Sequence, residues 1–250
     1  TSLTAGFFNV AFAADPAKKA LHFGATVGYN ADLIKYGIKP ILEQQGYEVK
    51  ITEFTDYIRP NLALNEGSLD VNVFQHKPYL DAFKAKNNLD LSVLNLTPAG
   101  PMGLYAGKKS DLNAVAADAT IIVPNDPSNQ ARALMLLVEL GWIKLKADID
   151  PLKASEHDIA DNIKKVKILA LDAAQAPRAR NSAAYAIINA NFAISSGMKF
   201  SDSLYTESGN TFLNVVAIKT GDLTTEWAKD IKAAYQSDSF KTYTKTHYPD

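Results

Sequence analysis

Arg132 stands four residues after Ser128 in the run Pro124-Asn125-Asp126-Pro127-Ser128-Asn129-Gln130-Ala131-Arg132, between an apolar stretch and one of helical periodicity. Read as an N-cap, Ser128 opens a helix whose first N–H groups are unpaired and whose dipole is positive at that end. Arg132 then lies about one turn in, with a planar guanidinium able to give a carboxylate two parallel hydrogen bonds. The chemistry such a pair offers is the holding of an anion. A single arginine is more often half of a surface ion pair. With Asn125 and Asn129 beside it, the two readings weigh evenly.

Three further loops carry groups that can grip a small polar molecule: Phe54-Thr55-Asp56-Tyr57, Phe74-Gln75-His76-Lys77-Pro78-Tyr79 and Asn189-Ala190-Asn191-Phe192. Phe54, Tyr57, Phe74 and Tyr79 can line an apolar pocket with polar tips, although aromatics at strand ends are more often plain core. His76 shares no motif with His22, His157 or His247, and a lone histidine is usually a structural hydrogen-bonding group. Asn189 and Asn191 can offer amides to an ammonium and a carboxylate, or can simply end a strand as turn residues.

Other chemistries find little support. The chain has no cysteine, which excludes disulfides, thiolate metal sites and a cysteine nucleophile. There is no Gly-x-Ser-x-Gly, no metal-spaced histidine pair and no phosphate-binding glycine loop. His76 with Asp56 lacks a serine at a strand-to-helix elbow. No enzymatic activity, cofactor or metal is expected. A net charge of −1 without a basic stripe argues against nucleic acid, and no run approaches the ~18 apolar residues of a membrane span.

The elements that must position these loops alternate in type. Leu21–Thr26, Val49–Phe54 and Leu69–Phe74 read as strands, separated by helical patterns that end at Gly46 and Gly67 and followed by a helix over Pro78–Ala85. This βα rhythm predicts parallel sheets with helices on both faces. It breaks at Leu96-Thr97-Pro98-Ala99-Gly100-Pro101, resumes with strands at Met102–Ala106, Thr120–Val123, Val166–Leu171 and Ala184–Ile188, and breaks again over Gly197–Asn210. Strand Asn214–Lys219 and helices near Thr224–Tyr235 and Ser239–Thr246 close the chain.

Two interruptions suit two α/β lobes joined by two crossings. One lobe is expected over residues 21–99 plus 211–250 and the other over 103–207, with hinges near 98–102 and 208–211. Ligands of open α/β sheets bind beyond the carboxyl ends of the strands, which places the four loops in a cleft that can close. Ahead of the first lobe, residues 1–13 end in Ala11-Phe12-Ala13, a small-x-small pattern that reads as the tail of a secretory signal cleaved after Ala13.

Taken in order, FTDYIRPNL, FQHKPYLDAF, GPMGLYAGK, VPNDPSNQARAL, LDAAQAPRA and IINANFA closely resemble the methionine-binding MetQ/NlpA family, from Leu21 to the C-terminal helices. The resemblance implies a type II-like, two-lobed periplasmic-binding-protein fold and delivery of methionine, or a close derivative, to the permease and ATPase of an ABC importer. It implies that Arg132 takes the ligand carboxylate, that Asn125, Asn191 and Asn214 hold its polar groups, and that Tyr57, Phe74, His76 and Tyr79 wall the thioether. A freely soluble, monomeric periplasmic receptor is expected, since Ala13-Ala14 offers no lipid-bearing cysteine. Gly100 departs from the family's acidic residue there, Ala131 from a glycine and Phe192 from a tyrosine, and 181–185 lacks the family's acidic signature. These departures bear on the ligand more than on the fold, and leave a related amino acid, dipeptide or sulfur compound, or a sensing role, as alternatives.

Overall fold

A computed structural model describes residues 13–248; the leader expected over 1–13 lies, save Ala13, outside the described residues. Strand β1 (Ala20–Thr26) runs into a helical stretch that is α at both ends (α1, Tyr29–Asp32; α2, Lys39–Gln44) and π over Leu33–Ile38. Pro40 has no N–H to close an i→i−4 bond, and the turn before it widens. The chain continues through β2 (Glu48–Phe54), α3 (Arg59–Glu66), β3 (Val71–His76), α4 (Lys77–Asn87) and β4 (Leu91–Thr97).

After a crossing at 98–102 come β5 (Gly103–Ala106), β6 (Thr120–Pro124) and α5 (Pro127–Glu139). The small pair β7 (Lys144–Leu145) and β8 (Ile159–Asp161) follows, then β9 (Lys167–Leu171) and α6 (Ala176–Ala179). Strand β10 (Tyr185–Ile188), α7 (Ala190–Ser195) and β11 (Tyr205–Thr206) lead to a second crossing at 207–213. Strand β12 (Asn214–Lys219) and helices α8 (Glu226–Tyr235) and α9 (Asp238–His247) then rejoin the first lobe.

The strands form two five-stranded sheets, in the orders β2-β1-β3-β12-β4 and β11-β5-β10-β6-β9. Neither is wholly parallel, unlike the rhythm's prediction: β12 runs antiparallel to β3 and β4, and β5 antiparallel to β10. The crossings impose this. The chain leaves the first sheet at the end of β4 and returns at the same edge, so β12 must run the other way. Its first residue, Asn214, is therefore paired with His76 on one side and Thr97 on the other.

Each sheet is covered on both faces. In the first lobe Phe23, Val71, Val73 and Val216 pack with Ile34, Ile38, Trp227 and Ile231, while Leu64, Leu80, Leu91 and Val215 form a second cluster on the opposite face. The second lobe repeats the arrangement around Ile121, Val123, Leu134 and Tyr185 on one side and Ile122, Ala186, Ile188 and Phe192 on the other. Among the described residues no helix is long and apolar enough to cross a membrane.

Candidate ligand-binding site

The carboxyl ends of β1, β3 and β10 and the first turns of α1, α5 and α7 converge on a small cavity of about 30 Å³ between the lobes. Small-molecule sites usually run from about 300 Å³ upward, so the lobes stand nearly closed on one another. One wall is aromatic. Tyr57, in the loop after β2, packs against Phe74 with ring centroids 5.9 Å apart and against Tyr79 at 5.9 Å. Across the cleft Phe192 meets the same Tyr57 ring at 4.8 Å. The Tyr79 hydroxyl donates to the Tyr57 carbonyl at 2.6 Å, which fixes the loop carrying the wall.

His76 ends β3 and caps α4. Its Nδ1 accepts from the Tyr79 backbone N–H at 3.2 Å, so its Nε2 carries the hydrogen and donates to Asn129 Oδ1, on the other lobe, at 2.7 Å. Burial and, secondarily, the nearby Arg132 charge push the imidazole down to about 3, so it is neutral at physiological pH. Asn129 Oδ1 also receives the Asn189 amide at 3.3 Å. Asn214 donates to Asn30 Oδ1 at 3.0 Å, and Asn30 to Thr26 Oγ1 at 2.8 Å, fixing the amides at the floor. Two buried polar atoms of cavity-lining residues have no protein partner: Asn189 Oδ1 and Asn191 Nδ2. Buried polar groups are nearly always satisfied, so these two atoms are exceptions among the lining amides.

Arg132 is 6% exposed and lines the cavity, but much of its fork is engaged. Its Nε donates to Glu207 Oε2 at 2.9 Å and its Nη2 to Glu207 Oε1, leaving Nη1 without a partner among the described residues. Phe212 lies over the guanidinium at 4.9 Å. Glu207 Oε1 also accepts from the Met102 N–H at 2.8 Å, so one carboxylate ties both crossings to Arg132. The N-cap of α5 is Asp126 and not Ser128: its carboxylate accepts from the Asn129 N–H at 3.0 Å, and Pro127 occupies the first helical turn. The positive helix end expected to attract a ligand is thus met by the protein's own acid. Burial is the main influence on that carboxyl and raises it above the usual range.

The seven sequence-derived positions Arg132, Asn191, Asn214, His76, Tyr57, Phe74 and Tyr79 all line the cavity. Asn125 does not: it is exposed and borders a separate groove with Ile58, Leu62 and Phe83. The geometric reason is the cap. With Asp126 closing the helix, Asn129 and Arg132 turn inward and Asn125 turns out. Two glycines sit where the lobes meet. Gly28 adopts φ +85°, with Asn191 O 3.2 Å from where a β-carbon would be, and a β-carbon on Gly100 would fall 2.4 Å from Ala190 Cβ. A side chain at 100 has no room, which accounts for glycine in place of an acid.

The model of one protein family, the NlpA lipoproteins, matches residues 21–250, the whole span that builds both lobes and the cavity. The chain belongs to the NlpA lipoprotein family. Among this family's curated members, the D-methionine-binding lipoprotein MetQ of Salmonella typhi is 35% identical over 219 residues, 86% of this chain and 80% of that one. A nutrient-binding protein of Burkholderia cenocepacia, solved bound to methionine, is 38% identical with a TM-score of 0.86, covering 92% of this chain and 97% of its own. An ABC-transporter periplasmic substrate-binding protein of Coxiella burnetii is 38% identical with a TM-score of 0.84, covering 90% of this chain and 96% of its own. These likenesses agree with the two-lobed α/β architecture.

Sequence reasoning missed Asn30 and Glu207, and read Gln75 and Asn129 only as loop neighbours. Gln75 had a legible signal: β3 is buried throughout, yet carries Asn72, Gln75 and His76. Glu207, one of two acids in the irregular stretch Gly197–Asn210, had none.

Proposed function

We propose that this chain is an extracytoplasmic receptor that binds methionine, or a close derivative, between its lobes and delivers it to an ABC importer. The observation that carries the reading is the pairing, in one cavity, of a three-ring apolar wall with Arg132 and unpartnered amide atoms on Asn189 and Asn191. An unbranched thioether needs a dry, apolar slot, which the lobes must part to open, and a zwitterion needs a cation for its carboxylate and oxygens for its ammonium. Arg132 Nη1 and Asn191 Nδ2 receive the carboxylate, Asn189 Oδ1 the ammonium, and Tyr57, Phe74 and Tyr79 the side chain. The names of the relatives support methionine as ligand and an importer as partner. The leader pattern supports export to the periplasm, and docking on a permease is simplest for a monomer.

The test is thermal unfolding of refolded, ligand-free protein with L-methionine, D-methionine, glycylmethionine, other amino acids and sulfonates. Ligand a hundredfold above its dissociation constant stabilises the folded state by about 2.7 kcal/mol. A shift confined to methionine-like compounds is expected and selects among them. No shift with any of them, in protein that has refolded, sinks the ligand assignment.

A further inference from the structure

Among the described residues, Arg132 is the one charged side chain lining the cavity. His76 beside it is neutral, and no carboxylate faces the space. Glu207 lies behind the guanidinium, in the groove between the crossings that Arg132 also borders. The pair is largely buried, with side-chain exposures of 6% and 12%. Charges so placed are weakly screened and act on anything enclosed nearby. With Glu207 present, the charge of Arg132 is compensated at contact distance on the side away from the ligand. Without it Arg132 would have no acid in contact, the nearest being Asp126 behind the Asn129 amide.

We infer that Glu207 is a specificity-determining residue: by neutralising Arg132 from behind, it makes the cavity favour a zwitterionic amino acid over the same skeleton lacking its ammonium group. The inference rests on the proposed amino-acid ligand. A bare arginine would attract any monocarboxylate and repel the ammonium of an amino acid held against it. A neutral pair can still give hydrogen bonds through Nη1 while leaving the ammonium unopposed. Glu207 touches no cavity surface itself, so its effect comes through Arg132 and through the field it sets.

The experiment is calorimetric titration of ligand-free full chain with L-methionine and with 4-(methylthio)butanoate, the same skeleton without nitrogen. It is done for the parent, Glu207→Gln and Glu207→Asp. The parent is expected to prefer methionine by tenfold or more. Glu207→Gln keeps the acceptor for Met102 but loses the charge, and should shift that ratio toward the butanoate by about tenfold, a change of one decade in relative affinity. Glu207→Asp keeps the charge, and its ratio should stay near the parent's even if both affinities fall. Equal weakening of both ligands in Glu207→Gln means a purely structural role and overturns the inference. Should that variant not fold, a parent that binds the butanoate as tightly as methionine overturns it, as does a tenfold ratio change in Glu207→Asp. A parent that prefers another amino acid sinks the methionine reading but leaves the ratio measurable with that amino acid and its deaminated counterpart. A parent that binds only monocarboxylates overturns the inference itself.

Discussion

Tyr57 and Asn191 meet across the cleft: the phenol, carried by the first lobe, donates to Asn191 Oδ1 of the second at 2.6 Å. The other end of the same amide, Nδ2, is buried in the cavity wall without a protein partner. One side chain therefore joins the lobes through its oxygen and offers its nitrogen to whatever lies between them. On the proposed function, closure and ligand recognition share a rigid planar group, so orienting one orients the other.

Tyr57→Phe keeps the ring in the aromatic wall and removes only this hydrogen bond. A neutral hydrogen bond contributes about 1 kcal/mol net, so ligand affinity should fall by roughly fivefold. The loss should appear mainly as faster dissociation, because the bond forms in the closed state. Stopped-flow release of ligand measures it. An unchanged dissociation rate would mean the cross-cleft bond contributes nothing to holding the lobes together.

Arg132 has two partners to satisfy, and substitutions should separate them. Arg132→Ala removes the ligand's cation and also strands Glu207, so the unliganded protein should lose about 3 kcal/mol of stability in urea unfolding. Arg132→Lys keeps a charge near Glu207 but cannot reproduce the fork. It should retain most of that stability and still bind ligand at least about tenfold more weakly. If Arg132→Ala unfolds at the parent's urea midpoint, the Glu207 pair adds nothing to the fold.

Acid should destabilise the protein through His76. Its folded value, about 3, lies below the unfolded 6.5 because burial disfavours the cation. Between those values the unfolded chain binds a proton that the folded chain does not, so stability rises with pH across the window. It is lost as pH falls from 6.5 toward 3, by at most about 1.4 kcal/mol per pH unit from this group. Above 6.5 the imidazole contributes no pH dependence. His76→Asn keeps a capping acceptor for α4 and should flatten this part of the curve relative to the parent. Parallel slopes for the two proteins between pH 6 and 4 would show that His76 takes up its proton without unfolding.

Much of this was legible beforehand, for physical reasons that can be named. Glycine and proline punctuation with alternating apolar runs marked the βα units, and seven of the eight positions expected to touch a ligand lie at the strand and helix ends that line the cavity. Asn125 was misplaced because Asp126 and Ser128 are both good caps, and only the backbone shows which closes the helix. Strand β4 was missed because Leu91–Thr97 runs straight into the proline-rich break. The antiparallel β12 and the Arg132–Glu207 pair depend on where the returning chain docks, 75 residues from Arg132 in the latter case. No local pattern encodes such a meeting.

Beneath the cavity lies a buried amide network that fixes one of its walls. Asn61 Nδ2 donates to Gln75 Oε1 at 2.7 Å, Gln75 Nε2 returns a bond to Asn61 Oδ1 at 2.8 Å, and Asn72 donates to the same oxygen at 2.9 Å. Asn61 and Asn72 are fully buried and Gln75 lines the cavity. Asn61→Leu preserves volume but leaves two amides short of partners inside the protein, which should cost about 3 kcal/mol. The Gln75 amide, then held only by its 3.2 Å bond to Asn72 Oδ1, can swing toward the ligand space, so affinity should fall as well as stability. Denaturant midpoints and titration of the same variant check both effects. A large stability loss with unchanged affinity would show that Gln75 stays in place without its partner, and that the network supports the fold alone.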